Sequence, residues 1–352
     1  MNIDRETFLT DLEMVKAGLS PREFIEQSSC FVFQRGEVMT FNDEIACRKE
    51  VGLKVTGAVT ASTLLDILGK LNDTELEVLE NDQGELEFRG AERRFGCTKD
   101  AEVFLPIDRV ENPKNWVPLA EGFTQAVDKV ARCVSTDESR FILTCVHLHP
   151  DFVEACDNLQ LMRVKMKTGL EKSALVRGSS LSQIVLLGMN EMALGKSWVH
   201  FRNKAGLVFS CRKFDDEYPV LDKLMKFEGD EVELPRTLVE VSDRAEVFAT
   251  DKSGDPLIEV TLSKGKEPSK GVITITGRGL SGWYKEKKSV KYNGPKVMFF
   301  IAPVVLQFVA EKYQDAVLGG NKLRASGPSW RYVTVLSSRP EEEEQGEAPP
   351  KK

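Results

Sequence analysis

One amphipathic pattern occurs three times in this chain, at intervals long enough to hold a domain. Val59–Lys70 (VTASTLLDILGK), Val176–Leu187 (VRGSSLSQIVLL) and Phe300–Glu311 (FIAPVVLQFVAE) align without gaps, at offsets of 117 and 124 residues. Leu64, Leu181 and Val305 share one column, Ile67, Ile184 and Phe308 a second, and Leu68, Val185 and Val309 a third. Polar Asp66, Gln183 and Gln307 fall between them. Apolar residues at i, i+3 and i+4 with a polar residue at i+2 make one buried stripe of a helix. Its recurrence points to triplication.

A second helical pattern recurs at a constant offset of 115: Phe8–Gly18, Phe123–Cys133 and Leu238–Phe248. Phe8, Phe123 and Leu238 align, as do Val15, Val130 and Ala245; the column of Leu12 and Val127 holds Ser242 in the third copy. Alternating segments fill the gaps, among them Cys30–Asn42, Arg140–His149, PLIEVTLSKG and WRYVTVLS, with turn signals such as Gln34-Arg35-Gly36 between them. Each unit reads as helix, three or four strands, helix, three strands. The expected class is α+β, as three repeated domains, each with two helices and antiparallel sheets. Expected boundaries are residues 1–119, 120–229 and 230–340, followed by an acidic, disordered tail over 341–352.

The 352 residues, 41% of them hydrophobic, can fill several cores. No apolar run is long enough to span a membrane, and the acidic N-terminus does not suit a secretory signal. Seven scattered cysteines form no CxxC pair, which fits a reducing cytoplasm and gives no disulfide framework. The net charge is −7, so a nucleic-acid partner would require basic residues gathered on one surface.

Enzyme signatures are sparse. Gly277–Gly282 spells GxGxxG, but the following WYKEKK lacks the apolar stripe of a dinucleotide-binding helix, so a glycine-rich strand connection is expected. His147 and His149 alternate on one strand pattern with Cys145, and His200 lies apart; structural roles are expected for all three. No nucleophile–base grouping, metal site or cofactor site stands out, and a non-enzyme is expected. The Lys285–Lys288 run, KEKK, reads as an exposed loop. Basic residues on the helix patterns carry more weight: Lys16, Lys129, Arg132 and Arg244 on one helix class, Lys70 and Lys312 at the ends of the other, and Arg22 in the turn after the first helix. Equivalent faces turned one way would present cations to phosphates without reading sequence.

Together these patterns resemble the bacterial sliding clamp, the beta subunit of DNA polymerase III, over roughly residues 1–340. Local segments add to the resemblance: Asn112–Trp116 (NPKNW), Ala155–Leu161 (ACDNLQL), Glu217-Tyr218-Pro219 and Arg331–Leu336 (RYVTVL). The resemblance implies a DNA-clamp fold closing as a ring-shaped, head-to-tail homodimer around double-stranded DNA. It implies a cytoplasmic processivity factor whose partners are a DNA polymerase and a clamp loader. It also implies a peptide-binding cleft lined by Leu143, Cys156, Asn158, Leu159, Gln160, Leu161, Val333 and Val335. The chain departs from the family at Asn158-Leu159-Gln160, at Glu23–Glu26 and after Val335, as a phage- or plasmid-type member would. The alternatives are a clamp-like, non-loading structural or decoy protein, and an enzyme on a triplicated scaffold.

Overall fold

The computed structural model describes residues 1–249, 256–267 and 270–338; the expected tail lies outside them. Six helices recur in pairs: α1 (Arg5–Val15) and α2 (Ala61–Lys70), α3 (Phe123–Val130) and α4 (Gly178–Leu181), α5 (Leu238–Ala249) and α6 (Pro303–Lys312). The strands before the second pair are β1 (Asn2–Asp4), β2 (Cys30–Gln34), β3 (Gly36–Phe41), β4 (Ile45–Leu53), β5 (Gly57–Thr60), β6 (Glu75–Glu80), β7 (Leu86–Arg89), β8 (Arg94–Cys97), β9 (Lys99–Asp100) and β10 (Val117–Pro118). Then come β11 (Cys145–His149), β12 (Phe152–Cys156), β13 (Gln160–Lys165), β14 (Ala174–Arg177), β15 (Met189–Leu194), β16 (Trp198–Asn203) and β17 (Val208–Phe214). The last group is β18 (Asp230–Glu233), β19 (Ile258–Lys264), β20 (Lys270–Gly279), β21 (Gly282–Lys291), β22 (Val297–Ile301), β23 (Asp315–Gly319), β24 (Lys322–Ser326) and β25 (Trp330–Val335).

These elements form two compact units. One comprises residues 1–157 and 164–218; the other comprises 158–163 and the chain from 219 onward. In the first unit, β4 pairs antiparallel with β17, setting Cys47 opposite Phe209 and Arg48 opposite Val208. This seam continues β5-β2-β3-β4 into β17-β16-β15 across the expected boundary at residue 119. A separate sheet, β1-β6-β7-β8, ends at β8. In the second unit, β21-β20-β19-β22 form one sheet. Strands β18, β23, β24 and β25 form another.

Helical periodicity explains the cores. Phe8, Phe123 and Leu238 are buried, and so are Val15, Val130 and Ala245. Ser242 is fully buried, as are its column-mates Leu12 and Val127, and its hydroxyl donates to the Pro303 carbonyl at 3.3 Å. A buried hydroxyl with an acceptor avoids most of the desolvation penalty, so the polar exception is tolerated. Asp4 caps α1 by accepting from the Thr7 N–H at 2.8 Å, and that bond holds its carboxyl below the usual range.

The other helix class departs from its pattern. Ala61, Gly178 and Pro303 open the three helices, so the third copy aligns one residue later than the sequence pattern. Leu306, Val309 and Ala310 are buried there, whereas Val305 and Phe308 are half-buried. The middle copy is one short turn continued by a 3₁₀ segment, Ser182–Val185. Gly178, Ser179 and Ser180 are poor helix formers, and Gly188 then takes a φ of 60°. Leu181 and Ile184 are nevertheless fully buried, Val185 is half-buried and Gln183 is exposed.

Strand expectations change in two places. Arg140–Thr144 belongs to a 3₁₀ segment, Glu138–Thr144, and only Cys145–His149 is extended. The Lys285–Lys288 run lies inside β21 and is not a loop. Gly277 ends a buried stretch of β20 where a Cβ would stand 1.9 Å from the Ala245 carbonyl oxygen of α5. The GxGxxG stretch is therefore a strand connection whose first glycine lets helix backbone rest on sheet. Arg35 and Gly36, at φ of 56° and 85°, form the two-residue turn joining β2 to β3.

Candidate nucleic-acid interface and peptide-binding residues

Each helix pair packs together on strands of its own unit: α1 with α2, α3 with the Ser182–Val185 turn, and α5 with α6. The seven cations singled out in the sequence sit on these helices or beside them, but their surroundings differ. Lys70, in the last turn of α2, is exposed, and Lys129 on α3 is half-buried. Neither forms an ion pair among the described residues, and the same holds for exposed Arg22. Lys16 lies 3.2 Å from Glu13, Lys312 lies 3.2 Å from Glu311, and Arg132 reaches Asp128 at 3.8 Å. Such exposed pairs are worth little and exchange readily for phosphate.

Arg244 is different. Its guanidinium donates to the Tyr284 hydroxyl at 2.7 Å and to Glu286 at 2.8 Å, and it passes Glu240 at 3.8 Å. Lys288, Tyr284 and Arg244 together hold the Glu286 carboxyl down at about 2. Glu286 in turn raises Arg244 above its ordinary range. Both partners lie on β21, so this cation is committed to fastening α5 on its sheet.

Net helix charge follows the same division. Helix α5 sets Glu240, Asp243 and Glu246 against Arg244, whereas α3 and its continuation set Asp128 against Lys129 and Arg132. The polar column also differs: Asp66 and Gln183 are exposed, and the Gln307 amide donates to Glu246 at 3.4 Å.

Of the residues expected to bind peptide, the first unit holds Leu143 and Cys156. Leu143 is half-buried on the 3₁₀ segment, and Cys156 ends β12 with its N–H donating to the Tyr218 hydroxyl at 2.9 Å. Burial raises both the Cys156 thiol and the Tyr218 phenol. The second unit holds the other six. There the Val335 N–H donates to the Leu159 carbonyl at 2.7 Å, and the Tyr332 hydroxyl donates to the Gln160 side chain at 2.8 Å. Leu161 and Val333 are buried and serve packing, Leu159 is 54% exposed, Asn158 is exposed, and Gln160 and Val335 are half-buried. Leu159 is thus the apolar side chain of this group most available to a ligand.

The histidines have structural partners. His147 bonds Glu154 at 2.8 Å, His149 stacks on Phe152 at 4.1 Å, and fully buried His200 bonds Ser210 at 2.8 Å. Burial pushes His200 down to about 4. All seven cysteines are buried and unbridged.

Two features were not read from the sequence: β8 and β21 each border a four-stranded sheet with one side unpaired among the described residues. Open edges invite another strand. The signal for β21 was its position after a two-residue loop, Leu280-Ser281, between two strand-like segments.

No protein-family model matches the chain. It is 26% identical over 125 residues to the beta sliding clamp of Rickettsia felis, a stretch covering 34% of this chain and 33% of that protein. It is 27% identical over 118 residues to the beta sliding clamp of Rickettsia bellii, covering 32% and 31%. The matched stretch therefore spans about a third of the length of these curated relatives. Among solved structures, the DNA polymerase III beta chain of Streptococcus pneumoniae superposes with a TM-score of 0.81 at 17% identity, over 96% of this chain and 99% of that one. The DNA polymerase sliding clamp of Bacillus subtilis gives 0.79 at 16%, over 96% and 98%. The DNA polymerase III beta subunit of Pseudomonas aeruginosa gives 0.78 at 16%, over 96% and 99%.

Proposed function

We propose that this chain, whose fold is that of the bacterial sliding clamps, is a DNA polymerase processivity factor that encircles duplex DNA and tethers a polymerase to it. The reading has no catalytic step, and it takes the repeats as three clamp domains. The observation that carries it is the pair of open edges. Within the first unit, the third strand after the first helix of one repeat, β4, pairs with the third strand after the second helix of the next, β17. Strand β21 holds the same ordinal place in the third repeat as β4 does in the first, and β8 holds in the first the place of β17. Joining β21 of one protomer to β8 of another repeats the internal seam, and a head-to-tail homodimer then covers both of these edges. Six helix pairs would surround the opening, with Lys16, Arg22, Lys70, Lys129, Arg132 and Lys312 supplying sequence-independent phosphate contacts. A clamp loader would open the ring. Polymerase peptides would dock at Leu159 and Val335 of the second unit.

One observation favours the second reading, a clamp-like protein that does not load. Both edges are basic, with Arg94 on β8 and Lys285, Lys287 and Lys288 on β21. Like charges facing across a seam oppose closure. Retention on nicked circular duplex, compared with the same DNA linearised, separates the readings. A ring stays on the circle and runs off the linear form; equal loss from both removes the topological claim. Sedimentation at micromolar concentration supplies the oligomeric state.

A further inference from the structure

The outward face of the β19–β22 sheet is cationic along one border. Strand β21 alternates: Tyr284, Glu286 and Lys288 are half-buried, while Trp283, Lys285, Lys287 and Ser289 are exposed. Tyr284 and Glu286 of the first set meet Arg244 of α5, so the second set projects from the opposite face. Cross-strand register sets Arg278 beside Trp283, Thr276 beside Lys285 and Thr274 beside Lys287. Lys285, Lys287 and Arg278 form no ion pair among the described residues, whereas Lys288 and Arg244 are held by Glu286. The register brings one acid, Glu259 of β19, to this face.

The last described residues lie opposite this border. The Ser337 N–H donates to the Phe300 carbonyl at 3.0 Å and the Phe300 N–H returns a bond at 2.9 Å, so Ser337 runs along β22 at the far edge of the same sheet. Beyond it lie Glu341–Glu344 and Glu347, five carboxylates outside the described residues. From Ser337 to β21 is four strand spacings, about 19 Å. Four to seven extended residues, counted from Ser337 to Glu341–Glu344, reach about 13–25 Å. Helix α5 occupies the other face of β19–β21, so the reachable side is the cationic one.

We propose that the acidic C-terminal segment folds back across this sheet and docks Glu341–Glu344 on Lys285, Lys287 and Arg278 of its own chain. The pairs are individually weak and screened by salt. Tethering supplies the effective concentration that free acidic peptide would lack. Docking shields the border from other polyanions, and it does not depend on the ring reading.

Carbodiimide cross-linking of an equal mixture of unlabelled and ¹⁵N-labelled full-length protein tests the contact. The expected result is amide bonds from Glu341–Glu344 to Lys285 and Lys287 within single-isotope peptides, lost in about 1 M salt, where the screening length falls to about 3 Å. Links scattered over other lysines, or found only between isotopes, overturn the proposal. Heparin affinity supplies the second arm. Ending the chain after Pro340 should raise it roughly threefold or more, and Lys285→Gln with Lys287→Gln should abolish most of that gain. An equal gain in both backgrounds would mean that the tail acts only through net charge, which also overturns docking.

Discussion

If the helix pairs face DNA, its attraction should come from Lys70 and Lys129 and hardly at all from Arg244. Each phosphate contact steepens the logarithmic salt dependence of binding by about 0.9, or about 3.5-fold in affinity between 50 and 200 mM salt. Lys70 and Lys129 have no anionic partner to give up among the described residues. Arg244 must leave Glu286, Tyr284 and Glu240 before it can serve a phosphate. Lys70→Gln and Lys129→Gln should therefore each lower the slope by about 0.9, and by about 1.8 together. Arg244→Gln should leave the slope within error, although it loosens α5. The assay is fluorescence anisotropy of a labelled duplex at several salt concentrations, with circular dichroism as the folding control. An Arg244→Gln loss as large as that of Lys129→Gln would refute the division of labour between committed and available cations. Unchanged slopes in all three variants would mean that the helices face elsewhere.

Two further outcomes follow from the interior. His200 is neutral when folded and titrates near 4, against about 6.5 unfolded, so the unfolded chain binds more protons between those values. Stability should fall as pH drops from about 6.5 towards 4, by up to about 3 kcal/mol from this group, and a His200→Gln variant should show a flatter urea-midpoint profile over that window. Gly277→Val should destabilise the second unit by about 3 kcal/mol, because any Cβ meets the α5 backbone. Hydrogen exchange should report faster opening of β19–β21 and α5 with the first unit unchanged.

How far the fold could be read from the sequence depended on whether its cause was local. The columns Phe8/Phe123/Leu238 and Val15/Val130/Ala245 were legible because burial on a helix repeats every 3.6 residues, and all six are buried. Even Ser242 kept its column, since its position was fixed by the helix and its hydroxyl found Pro303. The second helix class slipped by one residue in its third copy because Val304, Val305 and Leu306 are all apolar, and hydropathy cannot choose among adjacent apolar residues. Pro303, pre-set for the first helical position, carried the missing information. Strand β21 was missed because lysines occupy both of its faces, erasing the alternation that marks a half-buried strand.

The candidate sites were legible as charges but not as partnerships. Arg244 and Glu286 are 42 residues apart, and no local pattern says that α5 will lie across β21 and neutralise its own arginine. Lys16 and Lys312, by contrast, have partners three residues and one residue away, pairs that helix geometry or adjacency makes plain. The same distinction sorts the residues proposed to bind peptide. Leu161 and Val333, expected by resemblance to line the cleft, are apolar positions on strands and are buried. Leu159 lies just ahead of β13, and its carbonyl accepts the Val335 N–H. Its backbone is thereby fixed while 54% of the residue stays open to solvent. A tethered backbone with an exposed apolar side chain is what a short peptide can use, because little entropy is lost on ordering it. Leu159, rather than its buried neighbours, is where substitution should separate binding from folding.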